Sequence, residues 1–187
     1  MTIIGITGTL GAGKGTIVEY LVKNKGFAHF SVREFLLDEI RKRGLPENRD
    51  SMVVVANELR SKNSSSYITD QLFIQASNKG NDAVIESIRT PGEVESLKSK
   101  GQFYLFAVDA DPEIRYERIK KRNSETDSVS FETFLENEKR EMTSDDPNKQ
   151  NLAKCREMAD FVFYNNGTIE ELNNKVDEVI TQIRKKS

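Results

Sequence analysis

The nine residues Gly8-Thr9-Leu10-Gly11-Ala12-Gly13-Lys14-Gly15-Thr16 contain four glycines and one lysine. Ile3, Ile4 and Ile6 stand before them, and Ile17 to Val22 continue after them with apolar residues at helical spacing. Glycine reaches backbone angles that aim successive amides at one point, and it has no Cβ to hold a ligand away. A strand, a Gly8-x-x-x-x-Gly13-Lys14 loop and a helix therefore make a phosphate cradle. The loop supplies converging amides, the helix its positive dipole end, and Lys14 a mobile full charge. A tight turn that happens to be glycine-rich would not require strand, loop, lysine and helix in that order. The strict motif has Ser or Thr directly after the lysine; here Gly15 takes that place and Thr16 follows.

Two further groups have chemistry-bearing spacing. Glu86-Ser87-Ile88-Arg89 follows a short apolar run and so falls at the carboxyl end of a strand, where α/β proteins place their sites. Arg115, Arg118 and Arg122 share one helical face, for which a solvated basic surface is the plain alternative.

These residues need a frame, and the hydrophobic periods describe one. β-rich runs at Thr2–Thr7, Phe27–Phe30, Asp82–Glu86, Phe103–Val108 and Phe161–Tyr164 alternate with helical patterns. That alternation predicts an α/β fold, a parallel sheet with helices on both faces. Helix starts are marked by Ser31-Val32-Arg33-Glu34, Thr90-Pro91-Gly92-Glu93, Asp111-Pro112 and Thr168-Ile169-Glu170-Glu171. The last helix carries Ile169, Leu172, Val176, Val179, Ile180 and Ile183 on one stripe that should pack on the sheet. Two stretches break the alternation: Leu45 to Gly80, helical with a break near Ser61–Ser66, and Asn123 to Pro147, with a helix over Phe131–Met142. Long insertions of this kind are usually either functional lids or disordered segments.

Composition narrows the class. A chain of 187 residues, 36% hydrophobic and 31% charged, is expected to form one globular domain over residues 1–187. A net charge of −2 offers no general attraction to nucleic acid or an anionic membrane. The longest apolar runs, Met52 to Ala56 and Phe103 to Val108, are too short to span a bilayer. One cysteine, Cys155, and one histidine, His29, exclude an internal disulfide and imidazole- or thiolate-rich metal centres. The expectation is a cytoplasmic protein, a monomer or weak homodimer, whose partners are small molecules.

The ending Gly13-Lys14-Gly15-Thr16 resembles that of adenylate kinase and its nucleoside monophosphate kinase relatives, although Leu10 replaces their usual proline. The resemblance extends over nearly the whole chain, with dephospho-CoA kinase as a cousin. It implies a three-layer P-loop fold on a five-stranded parallel sheet, a helical acceptor-binding insertion at about 31–80 and a short lid at about 123–147. It also implies ATP as donor and Mg2+ as cofactor. Gly11, Ala12, Gly13, Lys14, Gly15 and Thr16 would then hold the donor phosphates, and Thr16 with Glu86, which replaces the family aspartate, would hold the metal.

The same resemblance gives Arg89 to the acceptor phosphate, and Arg118 and Arg122 to the donor base and phosphates at the lid hinge. Arg140 keeps the last arginine of the lid segment, while Asn137, Glu138 and Lys139 replace its other charged residues. Asn166 and Thr168 fall in the loop that touches the donor base, though a turn and a helix cap explain them equally. Leu37 occupies the place of an arginine that binds the acceptor phosphate in adenylate kinases. Arg33, Arg49 or Arg60 could supply that charge, and Glu34 stands near the general base of dephospho-CoA kinases, with a capping role as its alternative. The expected activity is transfer of the ATP γ-phosphate to a nucleoside or deoxynucleoside monophosphate. Dephospho-CoA kinase and a non-catalytic nucleotide-binding regulatory module are the alternatives.

Overall fold

The computed structural model describes residues 1–122 and 129–186. Its first strand, β1 (Ile3–Gly8), runs along the middle of the molecule because nearly every side chain on it is apolar and buried. A strand hydrophobic on both faces must be covered on both. It pairs in parallel with β3 (Ala83–Glu86) on one side and β4 (Phe103–Asp109) on the other. The edges are β2 (Ala28–Ser31) and β5 (Phe161–Tyr164), so the order is β2-β3-β1-β4-β5. This is the five-stranded parallel α/β sheet expected from the alternation, and register sets Ile6 beside both Glu86 and Phe106. The carboxyl ends of β1 and β3 thus open side by side, with the glycine loop leaving one and Glu86 ending the other.

Alternation along β1 sends Ile4 and Ile6 to one face and Ile3 to the other. On the first face lie α1 (Lys14–Lys25) and α9 (Ile169–Lys186), packing Ile17, Leu21, Val176 and Ile180 on the sheet. Ile169, expected on that stripe, is 66% exposed because it begins the helix beyond the sheet's edge. The second face is covered by α2 (Val32–Lys42), α3 (Arg49–Lys62), α4 (Tyr67–Lys79), α5 (Pro91–Ser99) and the short α8 (Leu152–Glu157). The connection after β4 carries α6 (Pro112–Arg122) and α7 (Phe131–Met142). No helix among the described residues is long and apolar enough to cross a membrane.

The irregular stretch from Leu45 to Gly80 therefore resolves into α3 and α4, broken at Asn63–Ser66. Of the lid stretch, α7 stands where the periodicity placed it; residues 123–128 lie outside the described residues. Thr90 and Glu93 form a reciprocal capping box, as do Thr168 and Glu171. At Ser31 only half of one forms: the Oγ accepts from the Glu34 amide at 3.2 Å, while the Glu34 carboxylate turns to Arg33 at 3.7 Å.

Candidate functional site

The loop after β1 is held open by backbone geometry. Gly11 and Gly13 have φ of 79° and 112°, values that L side chains rarely adopt. A Cβ on Gly11 would lie 2.5 Å from the Arg115 carbonyl, and one on Gly13 would lie 2.3 Å from Asn165 Nδ2. Helix α1 starts at Lys14 with no capping side chain and no acidic residue in its first turn. Its first amides and positive dipole end therefore face the loop's concavity, which suits an anion. Lys14 Nζ donates to the carbonyls of Gly8 and Thr9, each at 2.8 Å. Burial, with repulsion from Arg89 adding to it, pushes the Lys14 pKa down to about 7.

Two residues that the sequence analysis did not select hold this loop from outside. Asn165, buried at the end of β5, donates its Nδ2 to the Ala12 carbonyl at 2.8 Å. Asp109, ending β4, accepts from Thr9 Oγ1 at 3.1 Å and from Arg156 at 2.7 Å. Arg115 corrects an expectation: it is 2% exposed rather than part of a solvated face. It donates to the Ala110 and Leu10 carbonyls and forks onto Glu138 of α7. The buried guanidinium is satisfied on every side and joins loop, α6 and α7.

In front of the loop lies a cavity of about 280 Å³. Lys14, Gly15 and Thr16 form one wall, Glu86, Ser87 and Arg89 a second, faces of α2 and α3 a third, and Arg122, Glu141 and Gln150 complete the lining. Ser87 has φ 73°, an unusual angle for a non-glycine residue, directly after Glu86. Its amide and that of Ile88 both donate to the Ile6 carbonyl, each at 3.0 Å, which ties the end of β3 to β1. The Glu86 carboxylate pairs with His29 at 3.2 Å. Burial alone would raise the Glu86 pKa, but His29, Lys14 and Arg89 together hold it below its ordinary value. Glu86 is therefore ionised in the cavity that Thr16 also lines, and carboxylate and hydroxyl oxygens are hard donors of the kind magnesium takes. Among the described residues no group of three or more His, Cys, Asp and Glu is arranged as a metal site. A metal here would accordingly depend on nucleotide phosphates for other ligands.

The cavity lining is rich in arginine. Arg89 donates to Glu141 at 2.8 Å and to Gln150 at 2.7 Å, and Arg49 donates to the other oxygen of Glu141. Glu141 is the one residue of α7 that lines the cavity. Burial opposes its charge, yet Arg89 and Arg49 hold its carboxyl below the ordinary range. Arg60 is buried and paired with Glu93 at 2.9 Å. Arg33 is exposed at the cavity wall, and Leu37 is buried in the core beside it.

The structure thus gathers Gly11, Gly13, Lys14, Gly15, Thr16, Arg33, Arg60, Glu86, Arg89 and Arg122 around one cavity. Glu34 faces solvent outside it, and Arg140 is exposed on α7, donating to Asn137. Arg118 donates to the Asn165 carbonyl at 2.9 Å beside the glycine loop. Asn166 accepts from the Asp111 amide at 2.9 Å, and Thr168 caps α9. None of these last three lines the cavity. Cys155 is buried, and burial pushes its thiol up to about 12, so it is inert.

Comparison with known proteins agrees with this fold. Residues 4–144 match the family described as AAA domain. A UPF0200 protein of Methanocaldococcus jannaschii is 31% identical over 186 residues, covering 98% of this chain and 91% of the relative. Among solved structures, the shikimate kinase of Acinetobacter baumannii in complex with shikimate superposes with a TM-score of 0.58 at 18% identity, over 97% of this chain and 94% of that one. A gluconokinase of Sinorhizobium meliloti gives 0.60 at 12% identity, over 100% and 97% of the two chains. At such identities the likeness concerns the fold, which is that of the P-loop kinases. Kinship along nearly its full length makes this protein a member of the UPF0200 family, built on a P-loop domain of the AAA kind.

Proposed function

We propose that this protein is an ATP-dependent phosphotransferase of the nucleoside monophosphate kinase type. The observation that carries the reading is that Lys14 and Arg89 face one cavity from adjacent strand ends, with Arg33, Arg49 and Arg60 also in its lining. Holding a nucleotide requires the glycine loop; it does not require this further cluster of cations. Phosphoryl transfer asks little covalent chemistry of a protein, so its residues act by positioning and charge.

In this reading the loop amides and Lys14 hold the donor's terminal phosphates, and Arg122 lies over them from the lid hinge. Arg118, Asn166 and Thr168 border the donor base. Thr16 and Glu86 would hold magnesium, which would neutralise phosphate charge when bound. Arg89 orients the acceptor phosphate, which is itself the nucleophile, so no general base is needed. Its guanidinium fork suits a phosphate dianion. The acceptor phosphate competes with Glu141 for Arg89 and Arg49, and closing α7 brings Arg140 nearer and excludes water. A dephospho-CoA kinase activity, which would need a base for a hydroxyl, is disfavoured because Glu34 faces solvent.

The test is one coupled assay of all ribo- and deoxynucleoside monophosphates plus dephospho-CoA, with ATP or GTP as donor. We expect transfer to at least one monophosphate, lowered about 10²–10³-fold by Lys14→Ala and by Arg89→Ala. Full activity in a folded Lys14→Ala protein would sink the reading. Hydrolysis of the donor with no acceptor converted would favour a nucleotide-binding regulatory module instead.

A further inference from the structure

Helix α3 turns Arg49, Met52, Val53, Ala56 and Arg60 toward the cavity. At the rise of an α-helix, the first and last of these are about 16 Å apart along the axis. The wall is therefore cationic at both ends and apolar between them. The Arg49 end is shared with Arg89 and Glu141. The Arg60 end is different, because its guanidinium is buried and only partly used.

Arg60 Nε and Nη2 donate to the same oxygen of Glu93, Oε1, at 3.3 and 2.9 Å. The other oxygen, Oε2, accepts the backbone amides of Arg89 and Thr90 at 2.8 and 3.0 Å. Both Glu93 oxygens are thus occupied, while Arg60 Nη1 is buried with no partner among the described residues. Leaving a charged donor unpaired in the interior forfeits its hydration with nothing in exchange. Arginine has donors only, so whatever completes this group must bring an acceptor.

We infer that Arg60 Nη1 selects the acceptor nucleotide by its base, favouring one that presents an oxo oxygen where another base presents an amine. This rests on the phosphotransfer reading above. With the acceptor phosphate at Arg89 and Arg49, the apolar strip of Met52, Val53 and Ala56 receives the flat face of the ring, and its far edge reaches Arg60. An oxo oxygen there gains a charge-assisted hydrogen bond. An exocyclic amine sets donor against donor and leaves Nη1 unpaired. Glu93 cannot compensate, because its oxygens are already taken.

Two matched pairs test this, IMP against AMP and UMP against CMP, since each pair exchanges an oxo group beside a ring N–H for an amine beside a bare ring nitrogen. With ATP as donor, kcat/KM should favour the oxo member about 10- to 100-fold in at least one pair. The double variant Arg60→Met with Glu93→Gln, which retains a side-chain oxygen for the α5 cap, should abolish that preference through a higher KM for the oxo member. Equal or better use of the amino member in both pairs overturns the inference, and that comparison needs no variant to fold. So does a preference that survives in the double variant. Either result leaves the phosphotransfer reading standing. If none of the monophosphates is phosphorylated, both fall together.

Discussion

Lys14 donates to two carbonyls of its own loop while Arg89 repels it from across the cavity. Its charge is therefore unfavourable until an anion arrives, and the sign of the consequence is fixed. The folded pKa, about 7, lies below the ordinary 10.5, so the unfolded chain binds more protons between those values. Lys14→Met should thus stabilise the nucleotide-free protein below pH 7, with the gain fading as pH rises toward 10.5. Melting temperatures of both proteins across that range measure it; a loss of stability at low pH would contradict the account. The same loop predicts that Gly13→Ala removes nucleotide binding while the sheet remains folded, because the new methyl meets Asn165 Nδ2 at 2.3 Å with φ at 112°. Circular dichroism and a nucleotide titration separate the two effects. The glycines and lysine were legible in sequence because their signal is local. Asn165 was not, since it stands 153 residues from the carbonyl it holds.

Among elements, α7 has the most consequential placement. Its amphipathic pattern shows in the sequence over Phe131–Met142, and Arg140 is the residue that the family resemblance selects. The folded helix instead presents Glu141 to Arg49 of α3 and Arg89 after β3, joining α7 to α3 and to the end of β3. Glu141→Gln should lower stability by about 1–3 kcal/mol at neutral pH. It should also lower the KM for the acceptor, because two arginines are released for its phosphate. The stability difference has a defined pH dependence. Glu141 titrates below its ordinary 4.5 when folded, so its contribution is full above that value and disappears as pH falls through the lower, folded pKa. A denaturation series in acid tests this, and a difference that persists undiminished at the lowest pH would refute the ion-pair explanation. Glu141 escaped the sequence reading because a carboxylate on a charged helix looks like surface until its partners are known.

At the scale of the whole molecule, the sheet divides two cores, and β1 feeds both. Gly5 lies on the crowded side, where an added Cβ would meet Ile88 Cδ1 at 2.4 Å and the Phe103 ring at 2.6 Å. Gly5→Ala is expected to destabilise the protein by about 1–3 kcal/mol, read as a lower urea midpoint with unchanged slope. The sequence by itself determined the glycine loop, the five strands and several of the helix starts. Each depends on neighbours within a few residues: a period, a cap, a turn. It also marked Arg60 and Arg89 as charges available to a second ligand. Only the tertiary structure decided which charges meet. Register set Glu86 beside the loop, packing buried Arg115 against Glu138, and the fold of α3 across the cavity left Arg60 with one nitrogen unpaired. Such pairings depend on distances through space between residues far apart in the chain, and no local pattern encodes them.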